Sequence, residues 1–363
     1  MDLYKNFNLK PFIISFLAIF MMVSLPKLGL DIKNLKIPTL FYTILSGETY
    51  IKILNPQPNP QDEFENIKPR LEQTPNNYQI KKSTSLIKPV SAEGEFQEAS
   101  AYGVIDFETG NVIAEKNLSK VLPIASLTKI MTSIVALDLA KPEEQITVSK
   151  YATTMIPSKV FLDAGEKLTV EELIDCFMLS SANDCVQALS DGIDQKYGQK
   201  IFIRSMNEKA KYLGFKKTHF ENSQGFDDKE HFSTVEDLSV LSHYALTNYP
   251  LFQKIVQKPS DTLEETGTHD RYYLNNWNGL LGVYPGVYGI KIGNTDDAGK
   301  TTIVVSQRAG KKVLTVVLGA PGILERDLWA SQLLDLGFQT LASLDPIEVT
   351  EFDLRQKYST WEY

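Results

Sequence analysis

The sequence predicts an α+β domain, an antiparallel sheet covered by helices, carried behind a compositionally distinct N-terminal region. Three observations predict it. Strand-like alternation occurs near both ends of the stretch beyond residue 99, at 102–114 and 287–318. Helical periodicity fills the interval between, and strands gathered apart from helices mark α+β rather than alternating α/β architecture. The first 92 of the 363 residues hold nine of the 17 prolines and carry a charge of +4, leaving −12 for the remainder. A single folded unit from residue 1 is therefore not expected.

From the N-terminus, Lys5 and Lys10 precede a charge-free run at 11–26, PFIISFLAIFMMVSLP. A positive flank followed by an apolar run is an export signature. Snorkelling by Lys27 extends the run to residue 30, about 20 residues, close to the hydrocarbon thickness. No small-x-small cleavage site follows closely, so residues 1–30 are expected to be an uncleaved membrane anchor. Residues 31–92 read as an extracytoplasmic linker. Within it Pro56, Pro58, Pro60, Pro69, Pro75 and Pro89 are interleaved with Asn, Gln and Lys, a composition that favours extended polyproline-like chain and buries no core.

Residues 93–342 are the expected folded domain. Strands at 102–106 and 112–114 flank Glu108-Thr109-Gly110-Asn111, a hairpin turn. Helices are expected at 126–139, which ends before Pro142, and at 170–179, 184–192, 200–213 and 235–246. Strands return at 287–292, 302–307 and 313–318, the last two joined through Ala309-Gly310-Lys311-Lys312, and a helix at 325–336 closes the domain. Residues 343–363 are a C-terminal tail, too short for another β-rich domain.

A net charge of −8 argues against a dedicated nucleic-acid binder, whose footprint is basic. His219, His231, His243 and His269 form no metal-ligand motif, and no Gly-x-Ser-x-Gly elbow is present. Cys176 and Cys185, the only cysteines, sit on apolar helical faces where buried free thiols are the default; a disulfide is the alternative outside the cell.

Three short motifs carry chemistry. In Ser126-Leu127-Thr128-Lys129 the lysine lies three residues beyond the serine, on one helix face. A serine nucleophile needs a base, and a lysine serves when burial and nearby positive charge lower its pKa. The same spacing at Ser85–Lys88 lies in the proline-rich region with no helix and is set aside. In Ser181-Ala182-Asn183 a hydroxyl and an amide on a short loop can relay a proton and hold a peptide group; a plain helix cap is the other reading. In Lys291-Ile292-Gly293 the glycine admits close backbone approach and the lysine adds positive field, although exposed strand lysines are commoner.

Order and flanks lift these motifs above chance. The stretches 125–138 (ASLTKIMTSIVALD), 177–189 (FMLSSANDCVQAL), 221–238 (ENSQGFDDKEHFSTVEDL) and 284–299 (YPGVYGIKIGNTDDAG) resemble, in the same order, the serine D-Ala-D-Ala carboxypeptidases, the low-molecular-mass penicillin-binding proteins. The resemblance covers about residues 97–340. It implies a β-lactamase/transpeptidase-like fold with a helical subdomain beside the sheet. By position it makes Ser126 the acylated nucleophile, Lys129 its base and Ser181 a proton shuttle. Asn183 would hold the substrate amide, Lys291 and Gly293 line the opposite wall, and the backbone N–H groups of Ser126 and Asn294 form the oxyanion hole. Such donors are worth about 3 kcal/mol each. Arg326 falls where the family places an arginine for the substrate's terminal carboxylate. The implied activity needs no cofactor. Its implied partners are peptidoglycan stem peptides, β-lactams as covalent inhibitors and, through the anchor, the membrane.

One departure bears on activity. The family's third motif usually reads Lys-Thr-Gly, and here Ile292 replaces the threonine. Loss of one charge-assisted hydrogen bond costs about 1.5–3 kcal/mol of binding, unless Arg326 and Thr295 compensate. The rival expectations are therefore an impaired cell-wall-binding protein, and a D,D-endopeptidase or β-lactamase on the same fold.

Overall fold

The computed structural model describes residues 60–82 and 94–361. The expected anchor at 1–30 and much of the expected linker lie outside the described residues. Among the described residues no helix is long and apolar enough to cross a membrane. Contacts divide the chain between Glu63 and Phe64, and the account below concerns the second unit.

A five-stranded antiparallel sheet forms its centre. β1 (Ala101–Asp106) and β2 (Val112–Lys116) make the expected hairpin. Asp106 shapes its turn by accepting from the Glu108 amide and the Thr109 hydroxyl, the local bonding that makes aspartate a turn residue. β7 (Val287–Thr295), β8 (Gly299–Arg308) and β9 (Lys311–Ala320) form a meander, and the strand order is β2-β1-β9-β8-β7. The N- and C-terminal strands meet because β1 pairs with β9. β7, which carries Lys291 and Gly293, is consequently an edge strand. Two short hairpins lie outside the sheet: β3 (Gln145–Thr147) with β4 (Lys167–Thr169), and β5 (Ser260–Leu263) with β6 (Tyr272–Asn275).

α1 (Pro60–Leu71) precedes the sheet. α2 (Lys129–Leu139), α3 (Val170–Leu179), α4 (Asn183–Tyr197), α5 (Ile201–Tyr212), α6 (Val235–Asn248) and α7 (Pro250–Val256) follow β2 and build the helical subdomain. α3 begins at a reciprocal capping box between Thr169 and Glu172, and Thr234 caps α6 through the Asp237 amide, each satisfying amides that a helix start leaves open. Apolar residues of α2 (Ile130, Met131, Ile134, Val135) share one core with Leu173, Phe177, Val186, Leu189 and Phe202. The sheet's other core lies under α8 (Ile323–Ala342), whose Trp329, Leu333, Leu334 and Phe338 pack with Val304, Val313 and Val317.

Two expectations at the domain's edges need correction. The linker at 31–92 is not extended throughout. Phe64, Ile67 and Leu71 of α1 are buried in the main core, spaced as one apolar helix face requires. The chain after α1 is tied down as well. Lys209 donates to the Leu71 carbonyl, Tyr244 to that of Thr74, and Lys81 exchanges backbone hydrogen bonds with Gly110 and Val112. Gly110 admits this passage, since a Cβ there would sit 2.2 Å from the Gln79 carbonyl oxygen. Nor is 343–363 a plain tail: α9 (Glu351–Tyr358) starts at a Thr350–Asp353 capping box and buries Leu354 against α8.

Candidate active site

Ser126 stands in a 3₁₀ turn, Ala125–Thr128, so the expected helix at 126–139 opens with this tighter turn before α2. Ala125 just ahead of it has a φ of 50°, a left-handed conformation that costs a residue with a Cβ about 1–2 kcal/mol. Surroundings from three distant segments hold it there. The Thr128 hydroxyl donates to the Ala125 carbonyl at 2.8 Å. His231 lies 2.7 Å from the Thr128 hydroxyl. Its Nδ1 accepts from the Glu221 amide, which leaves Nε2 as the donor to Thr128. Burial lowers the His231 pKa to about 4 and keeps the ring neutral. Gly225 passes so close that a Cβ would lie 1.9 Å from the Ala125 carbonyl oxygen. At Gly293 a Cβ would lie 2.5 Å from the Thr301 hydroxyl and 3.0 Å from the Ser126 amide nitrogen.

Lys129 is fully buried. Its Nζ lies 2.8 Å from Ser126 Oγ, 2.9 Å from Asn183 Oδ1 and 2.9 Å from the Gln224 carbonyl. Burial, and next the charge of Lys291, hold its pKa well below the ordinary lysine value. Lys291 is buried too; desolvation and then Arg326 lower its pKa to about 7. Among the described residues no side chain or carbonyl hydrogen-bonds its ammonium.

The second motif bends sharply. Ser181 is buried at a φ of 57°, between the end of α3 and the start of α4, and among the described residues its hydroxyl has no hydrogen-bond partner. Asn183 is engaged at both ends of its amide: Oδ1 accepts from Lys129 and Nδ2 donates one proton to the Ile156 carbonyl. The next residue, Asp184, accepts from the amides of Val160, Phe161 and Leu162. Asn183 and Asp184 together staple the 156–162 loop beside the serine. Cys176 and Cys185 are free and buried.

On the opposite side, Asn294 is exposed at the end of β7 and accepts from Lys300. Thr295 gives its hydroxyl proton to Asp227 at 2.6 Å, so it does not stand in for the hydroxyl missing at Ile292, which is itself buried. Arg326 is engaged edge-on by Asp327, with Nε and Nη2 each 2.7 Å from a carboxylate oxygen. The structure therefore brings Ser126, Lys129, Asn183 and Gly293 into contact, with Lys291 acting electrostatically on Lys129 and Arg326 on Lys291. Sequence reasoning missed Thr128, His231, Gln224, Gly225, Asp184 and Asp327. Only the Asn222-Ser223-Gln224-Gly225 turn offered a signal, as a turn composition.

An antiparallel α+β domain that offers a serine at a helix start, bonded to a buried, deprotonation-prone lysine, defines the active-serine class with a lysine partner. Known proteins agree. The Streptomyces K15 DD-transpeptidase crystal structure superposes with a TM-score of 0.62 at 29% identity, over 66% of this chain and 97% of that one. The D-alanyl-D-alanine carboxypeptidase DacD of Francisella tularensis superposes with a TM-score of 0.62 at 26% identity, over 70% and 73%. In sequence, the D-alanyl-D-alanine carboxypeptidase DacF of Bacillus subtilis is 33% identical over 246 residues, 66% of this chain. The matched region spans 62% of that relative's length. The D-alanyl-D-alanine carboxypeptidase family model matches residues 88–322. The chain belongs to the D-alanyl-D-alanine carboxypeptidase family.

Proposed function

We propose that the protein is a serine D-alanyl-D-alanine carboxypeptidase that removes the terminal D-alanine from peptidoglycan stem peptides. It acts outside the cytoplasm, held to the membrane by residues 1–30, needs no cofactor, and is acylated by β-lactams. The observation that carries this reading is the three-way environment of Lys129 Nζ. A neutral amine has two N–H donors and one lone pair. The Asn183 Oδ1 and the Gln224 carbonyl only accept, so they take both donors. The lone pair is left to the Ser126 hydroxyl, which is the arrangement of a general base.

As Ser126 Oγ bonds to the scissile carbonyl carbon, its proton passes to Lys129. The charge developing on the carbonyl oxygen meets the Ser126 and Asn294 amides, and Gly293 allows the Ser126 turn and β7 to approach this closely. Collapse breaks the peptide bond, and the proton reaches the leaving D-alanine nitrogen with Ser181 as the relay. Water then attacks the ester carbonyl and gives a proton to Lys129, which returns it to Ser126 Oγ as the acyl–oxygen bond breaks. Lys291 and Arg326 supply the positive field for the substrate's terminal carboxylate.

The full chain, incubated with labelled penicillin and with a peptide ending in D-Ala-D-Ala, tests this against Ser126→Ala. Covalent label and D-alanine release, both abolished in the variant, are expected; absence of both from the unaltered chain overturns the reading. Ile292 favours a second reading, an impaired peptidase that is labelled but releases little. In that case Ile292→Thr raises kcat/KM by about tenfold or more, the worth of one charge-assisted hydrogen bond. Rapid turnover of penicillin itself points instead to a β-lactamase.

A further inference from the structure

We propose that Tyr358, from the C-terminal helix α9, is a positioning residue that aims Arg326 at the carboxylate of the bound peptide. The proposal rests on the carboxypeptidase reading for the identity of that ligand. Its geometry comes from a segment beyond residues 88–322, where the family match ends.

Arg326 and Asp327 are consecutive on α8, and neighbouring helical positions diverge by about 100° around the axis, so their side chains do not face one another unaided. Yet the two groups pair through both carboxylate oxygens and are both buried. What turns the Asp327 carboxylate toward Arg326 lies outside α8. The Tyr358 hydroxyl donates to Asp327 Oδ2 at 2.8 Å, with the Ile323 carbonyl a more distant 3.4 Å. Gly279 closes the other side: a Cβ there would lie 2.1 Å from Asp327 Oδ2 and 2.9 Å from the Tyr358 ring. Leu354, fully buried one turn before Tyr358, anchors α9 in place.

The clamp occupies the Nε and Nη2 edge of the guanidinium. Among the described residues Nη1 has no hydrogen-bond partner, and Arg326 acts electrostatically on Lys291. One buried anion thus stands against two buried cations, Arg326 and Lys291, leaving room in the charge balance for a carboxylate from outside. Tyr358 touches no reacting atom; it acts through Asp327.

The test uses the full chain with Ser126→Ala, so that binding is read without turnover. Calorimetry compares a D-Ala-D-Ala peptide ending in a free carboxylate with the same peptide ending in an amide. Tyr358→Phe is expected to weaken binding of the acid about three- to tenfold, the range of one neutral hydrogen bond, and to leave the amide unchanged. Arg326→Ala should reduce the acid-over-amide preference to the part that Lys291 supplies, and adding Tyr358→Phe to it should change nothing further. An unchanged preference in Tyr358→Phe overturns the proposal. So does an equal loss for both peptides, which is what general loosening produces, or an effect that persists in full without Arg326. Penicillin labelling of the chain with Ser126 intact is scored separately. If label is absent but the acid-over-amide pattern holds, the clamp stands and the carboxypeptidase reading falls.

Discussion

Lys291 carries the sharpest expectation at the scale of single residues. In the proposed reaction its cationic form is the one that attracts the substrate carboxylate, and burial, with the charge of Arg326 adding to it, brings its pKa down to about 7. The favourable form is therefore present below pH 7 and is lost as pH rises through that value. KM for a peptide ending in a free carboxylate should climb above pH 7, approaching about tenfold per pH unit, while the amide-ended peptide shows no such rise. A KM for the acid that stays flat between pH 6 and 9 contradicts the assignment. Ser126 and Lys129 were legible in the sequence because a three-residue spacing encodes contact along a helix. The Gln224 carbonyl that completes the lysine's environment was not. It is a backbone acceptor that any residue supplies, and only the fold brings it 95 positions back to Lys129.

Among the elements, α1 changes the picture most. Its prolines, Pro60 and Pro69, drew attention to the composition of the N-terminal region and away from Phe64, Ile67 and Leu71, whose spacing of three and four residues already described a helix face. Composition averaged over about sixty residues hid a helical periodicity confined to a twelve-residue segment. Since Leu71 is fully buried, Leu71→Ala should destabilise the chain by about 2–5 kcal/mol, measured by urea unfolding. A loss below about 1 kcal/mol, the level of a surface change, means that α1 is dispensable. The sheet strands and most helices were legible from alternation and periodicity. The short hairpins β3–β4 and β5–β6 were not, because strands of three or four residues are too brief to display a period. α9 escaped notice for a related reason: only Leu354 and Tyr358 turn toward the core, and two residues one turn apart make too short a pattern.

Considered as a whole molecule, the fold should respond to acid in a defined window. His231 is held neutral, with a pKa of about 4, against about 6.5 in an unfolded chain. Between those values the unfolded state binds the proton and the folded state does not, so the contribution of His231 to stability falls as pH drops from 6.5 to 4. The slope is about 1.4 kcal/mol per pH unit. His243, stacked on Tyr78 at 3.6 Å and also lowered to about 4 by burial, acts in the same sense. Asp175, raised to about 6 by burial, acts in the opposite sense over the lower part of that window, so the histidine contribution is read as a difference. In urea unfolding at pH 4.5, 5.5 and 6.5, the unaltered chain should lose about 1.4 kcal/mol more per pH unit than His231→Gln, and equal slopes refute the account.

The turn at Ala125 and Ser126 has a consequence for what acylation reports. Its shape depends on Gly225, on β7 through Gly293 and on His231 through Thr128, segments separated by up to 168 positions and meeting only when the subdomain and the sheet have both formed. No excised helix and no half-folded chain reproduces that enclosure. If the chain is acylated by β-lactams as proposed, covalent capture is then a census of native molecules: the labelled fraction counts chains that have completed folding, and nascent or damaged copies stay chemically silent.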